Sequence, residues 1–242
     1  MKVYEDMAEY YDLIYSDQYD VDFYLREAKN ARGPVLEVAC GTGRILLRLL
    51  SESITVTGID LSKSMLAILK RKATSLGLQP TVQVADMRDF KLEKKFRLII
   101  VPYRSFLHLR EDEDRKKTLL NFKEHLESGG RLILHTYNPS EDELNMGGTF
   151  HHLESEDFTG PEGNYRLDWY LKSENKIAHY KIVLTLANGK RKVFLMDIAY
   201  IPVRDMQKIL MDCGYMNIRL YCGFDYGEFN ENCKEAIWIA EK

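Results

Sequence analysis

Residues 35–43 read Val-Leu-Glu-Val-Ala-Cys-Gly-Thr-Gly, an apolar run that passes through one acid and ends in a tight glycine turn. A second apolar run follows and closes on Asp60. In an open α/β sheet the ligand crevice lies outside the carboxyl ends of the strands, and glycines there let a ligand approach backbone amides that side chains would screen. An acid closing the neighbouring strand can accept hydrogen bonds from both hydroxyls of a ribose. The glycine spacing bears on which nucleoside is meant. A dinucleotide turn needs Gly-x-Gly-x-x-Gly, whose third glycine lets the helix pack close behind a pyrophosphate. The residue three beyond Gly43 is Leu46, which argues against a pyrophosphate.

Glu37, Ala39, Gly41 and Gly43 alternate, and the run resembles motif I of the class I S-adenosylmethionine-dependent methyltransferases, acid-x-Gly-x-Gly-x-Gly, with Ala39 in place of the first glycine. Ile-Asp-Leu-Ser-Lys-Ser-Met-Leu at 59–66 resembles the second strand and following helix of that family. Ala-Asp-Met-Arg at 85–88 resembles its adenine-binding corner, and residues 98–109 its fourth strand and loop. The resemblance covers roughly residues 35–137, and the tail from about 202 fits it as well. Two departures stand out: Arg97 sits where the family often has Asp, and no Asn-Pro-Pro-Tyr run of the amino-methylating nucleic-acid enzymes occurs.

The resemblance implies S-adenosylmethionine as cofactor and assigns contacts to it. Glu37, Ala39, Gly41 and Gly43 would approach its methionine part, Asp60 its ribose, and Leu61 and Met65 the adenine face. Asp86 would take the adenine amino group and the Met87 amide the ring, with Val101 and Pro102 under the methionine chain. Tyr-Tyr-Asp-Leu-Ile-Tyr at 10–15 resembles the Tyr-Asp-x-x-Tyr lid segment of small-molecule members. It makes Tyr11 and Tyr15 candidates to close over the cofactor, where an aromatic face can shelter a sulfonium. Asp60 also has a plainer reading as a helix cap, but Ser62 already offers one, and Met65 at helical spacing also reads as core.

Composition bounds the rest. A chain of 242 residues with 45% apolar content can bury one α/β core with an insertion. A net charge of −3 lacks the basic surplus that counterion release from nucleic acid draws on. Cys40, Cys213, Cys222 and Cys233 form no Cys-x-x-Cys pair and no secretory leader is evident, so the expectation is reduced thiols and a cytoplasmic setting. No apolar run approaches bilayer length.

Periodicity predicts a first helix capped by Ser16 or Asp17, with Val21, Tyr24, Leu25 and Ala28 on its buried face, ending near Gly33-Pro34. Short apolar strands of the doubly covered kind are expected at 35–39, 55–59, 81–84, 97–101 and 131–136. Between them, Met65, Leu66, Leu69, Ala73 and Leu76 form one helical stripe opened by Ser62, and Leu119, Phe122 and Leu126 another that stops at Gly129-Gly130. From Pro139 to about Tyr200 the pattern becomes antiparallel. A two-residue type I′ turn is expected at Asn188-Gly189, with Ala178, Tyr180, Ile182, Leu184 and Leu186 on one face. A helix with Met206, Ile209, Leu210 and Cys213 stops at Gly214, and strands near 216–222 and 236–240 finish the sheet. The expected fold is α/β, Rossmann-like and doubly wound. Its seven-stranded, mostly parallel sheet has an antiparallel last strand, with an antiparallel insertion after strand five. The domain reading is a helical lid over 1–33, a core over 34–138 and 201–242, and a substrate cover over 139–200.

Methyl transfer from a sulfonium is an in-line displacement that chiefly needs alignment and desolvation. A hydroxyl acceptor needs a base or metal, an amine does not. Candidate catalytic groups are Tyr11, His108, His135 and Tyr137, although a histidine between leucines or at a strand end also reads as structural. Glu141-Asp142-Glu143 and His151-His152 show no ligand spacing, so no metal is expected. Trp169, Tyr170, Tyr180 and Phe194 either wall a pocket or pack a small sheet. The leading expectation is methylation of an N or O atom of a small organic acceptor. RNA or protein methylation on the same core and a non-catalytic cofactor-binding protein are the alternatives. The basic runs 115–117 and 190–192 read as exposed faces, no membrane partner is implied, and family members occur as monomers and as homodimers.

Overall fold

A computed structural model describes residues 2–242. The chain opens with α1 (Lys2–Met7), a 3-10 turn (Ala8–Tyr10), α2 (Tyr11–Ile14) and α3 (Val21–Ala31). The alternating core follows as β1 (Val35–Val38), α4 (Leu46–Ser51), β2 (Val56–Asp60), α5 (Lys63–Ser75), β3 (Thr81–Val84) and β4 (Phe96–Val101). A second 3-10 turn (Ser105–His108) leads to α6 (Asp112–His125) and β5 (Leu126–Tyr137). After the short α7 (Glu141–Leu144) come β6 (Gly147–Gly160), β7 (Gly163–Glu174), β8 (Ile177–Thr185) and β9 (Arg191–Ala199). The chain finishes with α8 (Val203–Asp212), β10 (Met216–Cys222), β11 (Gly227–Glu228) and β12 (Glu235–Glu241).

The large sheet runs β11-β10-β12-β5-β4-β1-β2-β3. Strands β1 to β5 are mutually parallel, and β12 enters antiparallel to β5. The expected seven strands are present, with β11 as a two-residue eighth at the edge. Both faces are covered, because alternate residues of the buried strands feed opposite clusters. Leu98 and Ile100 pack with α3, α4 and α5, whereas Ile99 and Val101 pack with α6 and α8. The order reverses between β1 and β4, which places the crevice at the carboxyl ends of those strands.

Residues 147–199 form a separate four-stranded antiparallel sheet, β6-β7-β8-β9. Its inner face carries Leu167, Ile182, Leu184 and Phe194 against Met7 and Ile14 of the amino-terminal segment. Insertion and amino terminus therefore share one small core above the crevice.

Several local expectations fail for identifiable reasons. The first long helix begins at Val21, not after Ser16 or Asp17, and the Asp20 carboxylate before it bonds to Arg44 and makes no cap. The third strand is exposed, being the sheet's edge. Leu76 ends α5 and is 63% exposed, so the stripe stops at Ala73. The helix before β5 ends at His125, and Leu126 is buried as the first residue of the strand. The Asn188-Gly189 hairpin is a three-residue loop. The Gly189 amide donates to the Leu186 carbonyl and the Leu186 amide to the Lys190 carbonyl, with only Gly189 left-handed at φ 76°. That is a type I turn with a glycine bulge. The type I′ turn lies instead at Asn175-Lys176, φ 53° and 61°, between the paired residues Glu174 and Ile177. Cys222 and Cys233 are joined in a disulfide, against the expectation of four free thiols, because β10 and the entry to β12 bring their Cα atoms to 5.4 Å.

Candidate functional site

A cavity of about 670 Å³ opens at the carboxyl edge of the parallel strands, roofed by the amino-terminal segment and the insertion. Of the residues singled out in the sequence, Tyr11, Tyr15, Ala39, Gly41, Asp60, Leu61, Met65, Asp86, Met87, His108, Trp169 and Tyr180 line it. Its floor is set by the turn after β1. Ala39, Gly41 and Gly43 all have positive φ, at 57°, 52° and 86°. A side chain at Gly41 would meet only the Met65 methyl at 3.7 Å, so the backbone there faces open space. Gly43 faces away: a Cβ would lie 2.7 Å from Leu69 Cγ, so this glycine serves the packing of α5 and does not line the cavity.

Asp60 ends β2, its Oδ2 accepting from the Gly41 amide and its Oδ1 from the Ser62 amide, each at 2.8 Å. Burial pushes its carboxyl up from the ordinary range while those two amides pull it back. Ser62 caps α5 by accepting from the Met65 amide, so Asp60 is not the cap. Both carboxylate oxygens keep a lone pair for a ligand. At the next corner Asp86 is held by Arg88, whose side chain donates to both of its oxygens and also to Asp114. The Arg88 guanidinium holds the Asp86 carboxyl below the usual range. Arg88 was not singled out in the sequence, although it completes the Ala-Asp-Met-Arg run.

Glu37 lies on the strand feeding the turn, 2% exposed, and is not part of the cavity wall. Its Oε2 is buried without a partner, and burial drives its carboxyl well above the ordinary range. Val101 and Pro102 also stand behind the wall: Val101 is core, and the Pro102 carbonyl accepts from Ser105. The residues that reach the cavity from that strand are Tyr103 and Arg104, both left-handed at φ 54° and 64°. Such backbone costs about 1–3 kcal/mol per residue and persists where the surroundings impose it.

The roof is aromatic. Tyr11 and Tyr15 rings stand 4.8 Å apart, and Tyr15 meets Tyr103 at 5.5 Å and Trp169 at 5.7 Å, both edge-on. Trp169 continues to Tyr180 at 6.4 Å. Phe194 packs the small sheet, and Tyr170 lies against His152 and Lys181 outside the cavity. The amino-terminal segment is fastened to α5 by three acids. Glu5 accepts from the Lys63 and Ser64 amides, Glu9 pairs with Arg71, and Asp12 accepts from Thr42 at 2.6 Å and Lys72 at 2.8 Å.

The candidate bases divide. His108 lines the cavity, but its Nδ1 donates to the Asp197 carbonyl at 3.2 Å and its Nε2 accepts from Tyr4 at 2.7 Å. Burial lowers its pKa to about 4, so the ring is neutral. His135 and Tyr137 do not line it. His135 is fully buried behind Glu235, to which its Nε2 donates. Tyr137 turns to Glu143, which also pairs with Lys234 and caps α7, so Glu143 of the 141–143 acid run is committed to structure. Glu235 itself lines the cavity and pairs with Arg104. Burial would raise its carboxyl, but His135 and Arg104 outweigh that and hold it at about 2. Glu235 was legible in principle, since an antiparallel last strand delivers its first residue to the carboxyl edge of its parallel neighbours. Tyr4 carried no signal beyond the tyrosine-rich amino terminus.

Comparison with known proteins fits this geometry. Residues 35–130 match the family described as "Methyltransferase domain". The dTDP-3-amino-3,4,6-trideoxy-alpha-D-glucopyranose N,N-dimethyltransferase of Streptomyces venezuelae is 30% identical over 137 residues, 53% of this chain and 56% of that one. A glycine/sarcosine N-methyltransferase of Parasynechococcus marenigrum is 35% identical over 131 residues, 53% of this chain and 46% of that one. The match thus spans about half the length of these curated relatives. An S-adenosylmethionine-dependent methyltransferase from Clostridium acetobutylicum superposes with a TM-score of 0.80 at 21% identity, covering 98% of both chains. Residues 35–130 are thus similar to a methyltransferase domain, and the fold of the whole chain is that of the class I S-adenosylmethionine-dependent methyltransferases.

Proposed function

We propose that this chain binds S-adenosylmethionine and transfers its methyl group to the nitrogen of a small organic amine. The observation that carries the reading is Asp60, fixed by the Gly41 and Ser62 amides at the strand edge and open to an aromatic-roofed cavity. Asp60 would hold the ribose hydroxyls, Leu61 and Met87 would bracket the adenine, and Asp86 would take its amino group. Gly41 offers backbone no Cβ obstructs, and the orphaned Glu37 Oε2 below is a polar atom the protein itself leaves unpaired. When bound, the cofactor supplies an activated methyl carbon.

The chain's own residues then align and dry the partners. Tyr11 and Tyr15 act as a lid, latched to α5 by Glu5, Glu9 and Asp12, and the insertion covers the acceptor with Trp169 and Tyr180. Both ring nitrogens of His108 are engaged, which suits an amine that attacks with its own lone pair better than a hydroxyl that needs a base. The two relatives named above are N-methyltransferases, one for an amino sugar and one for glycine and sarcosine. Methylation of RNA finds less support, because Arg115 and Lys117 of one basic run are paired with Asp112 and Asp89, and Lys192 of the other lies over Tyr10.

Labelled S-adenosylmethionine offered with a panel of small amines and the matching alcohols tests the reading. Label is expected on amine nitrogen and not on hydroxyl. Label on alcohols alone, or none on any compound with cofactor bound, would contradict it.

A further inference from the structure

The charge of the cavity wall separates possible acceptors further. Among the described residues, seven carboxylates and two guanidiniums line it, and His108 is neutral. Asp60, Asp86 and Asp114 belong to the end assigned to the adenosyl group. Both guanidiniums are already matched: Arg88 donates to Asp86 and Asp114 at 2.7–3.0 Å, and Arg104 is engaged by Glu235. Asp17, Glu154 and Glu156 remain on the other part of the wall without a cationic partner among the described residues. Glu154 and Glu156 come from β6 and are exposed at the mouth, where a cleft lined by one sign of charge attracts the opposite sign and repels its own.

Resting on the methyltransferase reading above, we propose that the acceptor is a phosphate-free amine, neutral or cationic in its unreacting part, and that the cavity excludes nucleotide-linked substrates. A nucleoside diphosphate needs guanidinium or ammonium donors, or a helix amino end, beside its phosphates. On the acceptor side of this cavity no unmatched cation lines the wall among the described residues. The wall also suits the chemistry. In the transfer the N–CH3 bond forms as the S–CH3 bond breaks, and sulfur keeps the bonding pair. Positive charge thereby passes from sulfur to nitrogen, and the product ammonium then releases a proton to solvent. Carboxylates on the nitrogen side stabilise the charge where it arrives. The substrate preference therefore departs from that named for the amino-sugar relative, whose substrate is dTDP-linked.

The test uses the full chain saturated with S-adenosylhomocysteine, after calorimetry has shown that this compound binds. Failure of that first titration would take down the methyltransferase reading and this proposal with it. Two probes are then titrated at low salt: a 3-amino-3,6-dideoxyglucose as its methyl glycoside, and the same sugar as its dTDP conjugate. The methyl glycoside is expected to bind roughly tenfold or more tightly than its twin, a ratio that corresponds to about 1.4 kcal/mol. A Glu154→Lys/Glu156→Lys double variant should shrink or reverse the ratio, and added salt should shrink it in the wild type. A ratio at or below one in the wild type, binding of neither probe included, overturns the proposal and leaves the methyltransferase reading standing.

Discussion

The end of the cavity around Asp60 is made of backbone amides and strand-terminal acids from residues 39–88, all delivered by consecutive strand–helix units. The end around Glu235 is made of long side chains from the first twenty residues, the loop after β4, the insertion and the last strand. One is assembled by local connections at a fixed topological point. The other needs four distant segments to converge. The first arrangement is rigid and specific for a shared group, whereas the second can be rebuilt by changing the insertion while the sheet stays the same.

That contrast predicts how each end responds to change. The largest effect is expected at the rigid end. Asp60→Ala removes the proposed ribose acceptor together with the anchor for the Gly41 and Ser62 amides, and should weaken S-adenosylhomocysteine by about 1–3 kcal/mol in calorimetry. An unchanged affinity would show that the floor is not where the nucleoside sits.

The second effect comes from the buried histidine beside the acceptor end. The His108 pKa falls from 6.5 to about 4 on folding. Between those values the unfolded chain binds a proton that the folded chain refuses, so stability rises with pH and is lost as pH falls toward 4. Urea unfolding should give about 2 kcal/mol less stability near pH ~5 than near pH ~7 from this group alone. His135 is shifted in the same direction, so a His108→Gln variant should flatten the profile only in part. Glu235, with its carboxyl drawn from 4.5 to about 2, acts in a lower window: its contribution is complete above 4.5 and is lost as pH falls through 2.

Smaller effects probe the join between the two ends. Asp12→Ala removes the Thr42 and Lys72 contacts that hold the lid segment, and should speed cofactor release by a few-fold, about 0.5–1 kcal/mol, with high salt reproducing part of the change in the wild type. Stopped-flow displacement measures it. Least of all, Ala39→Gly relieves a left-handed alanine and should stabilise the protein by about 0.5 kcal/mol after the extra unfolded-state entropy of glycine is counted. A destabilised variant would mean that the Ala39 methyl makes a contact worth more than its strain.

The same difference explains what the sequence revealed. Glu37 through Gly43, Asp60, Asp86 and Met87 could be found because acids and glycines at strand ends carry their meaning within a few residues. Even there the sequence could not say which groups face the cavity, since Glu37 and Gly43 turn toward the protein interior. Tyr4, Arg104 and Glu235 were not found, and Trp169 and Tyr180 were left between pocket wall and sheet packing, because each reaches the cavity only through tertiary convergence. His135 and Tyr137 were misplaced for a related reason. Strand parity and the α7 turn aim them at Glu235 and Glu143, a layer behind the wall. The Asn188-Gly189 hairpin was located correctly but with the wrong turn, because Asn-Gly serves both a two-residue loop and a bulged three-residue one.

A crystal structure of the chain grown with S-adenosylhomocysteine tests the central claim most directly. The ribose hydroxyls are expected on the Asp60 carboxylate, the adenine beside Met87, and the homocysteine tail over Gly41. Ligand bound elsewhere, or a crevice left vacant at saturating concentration, would contradict it.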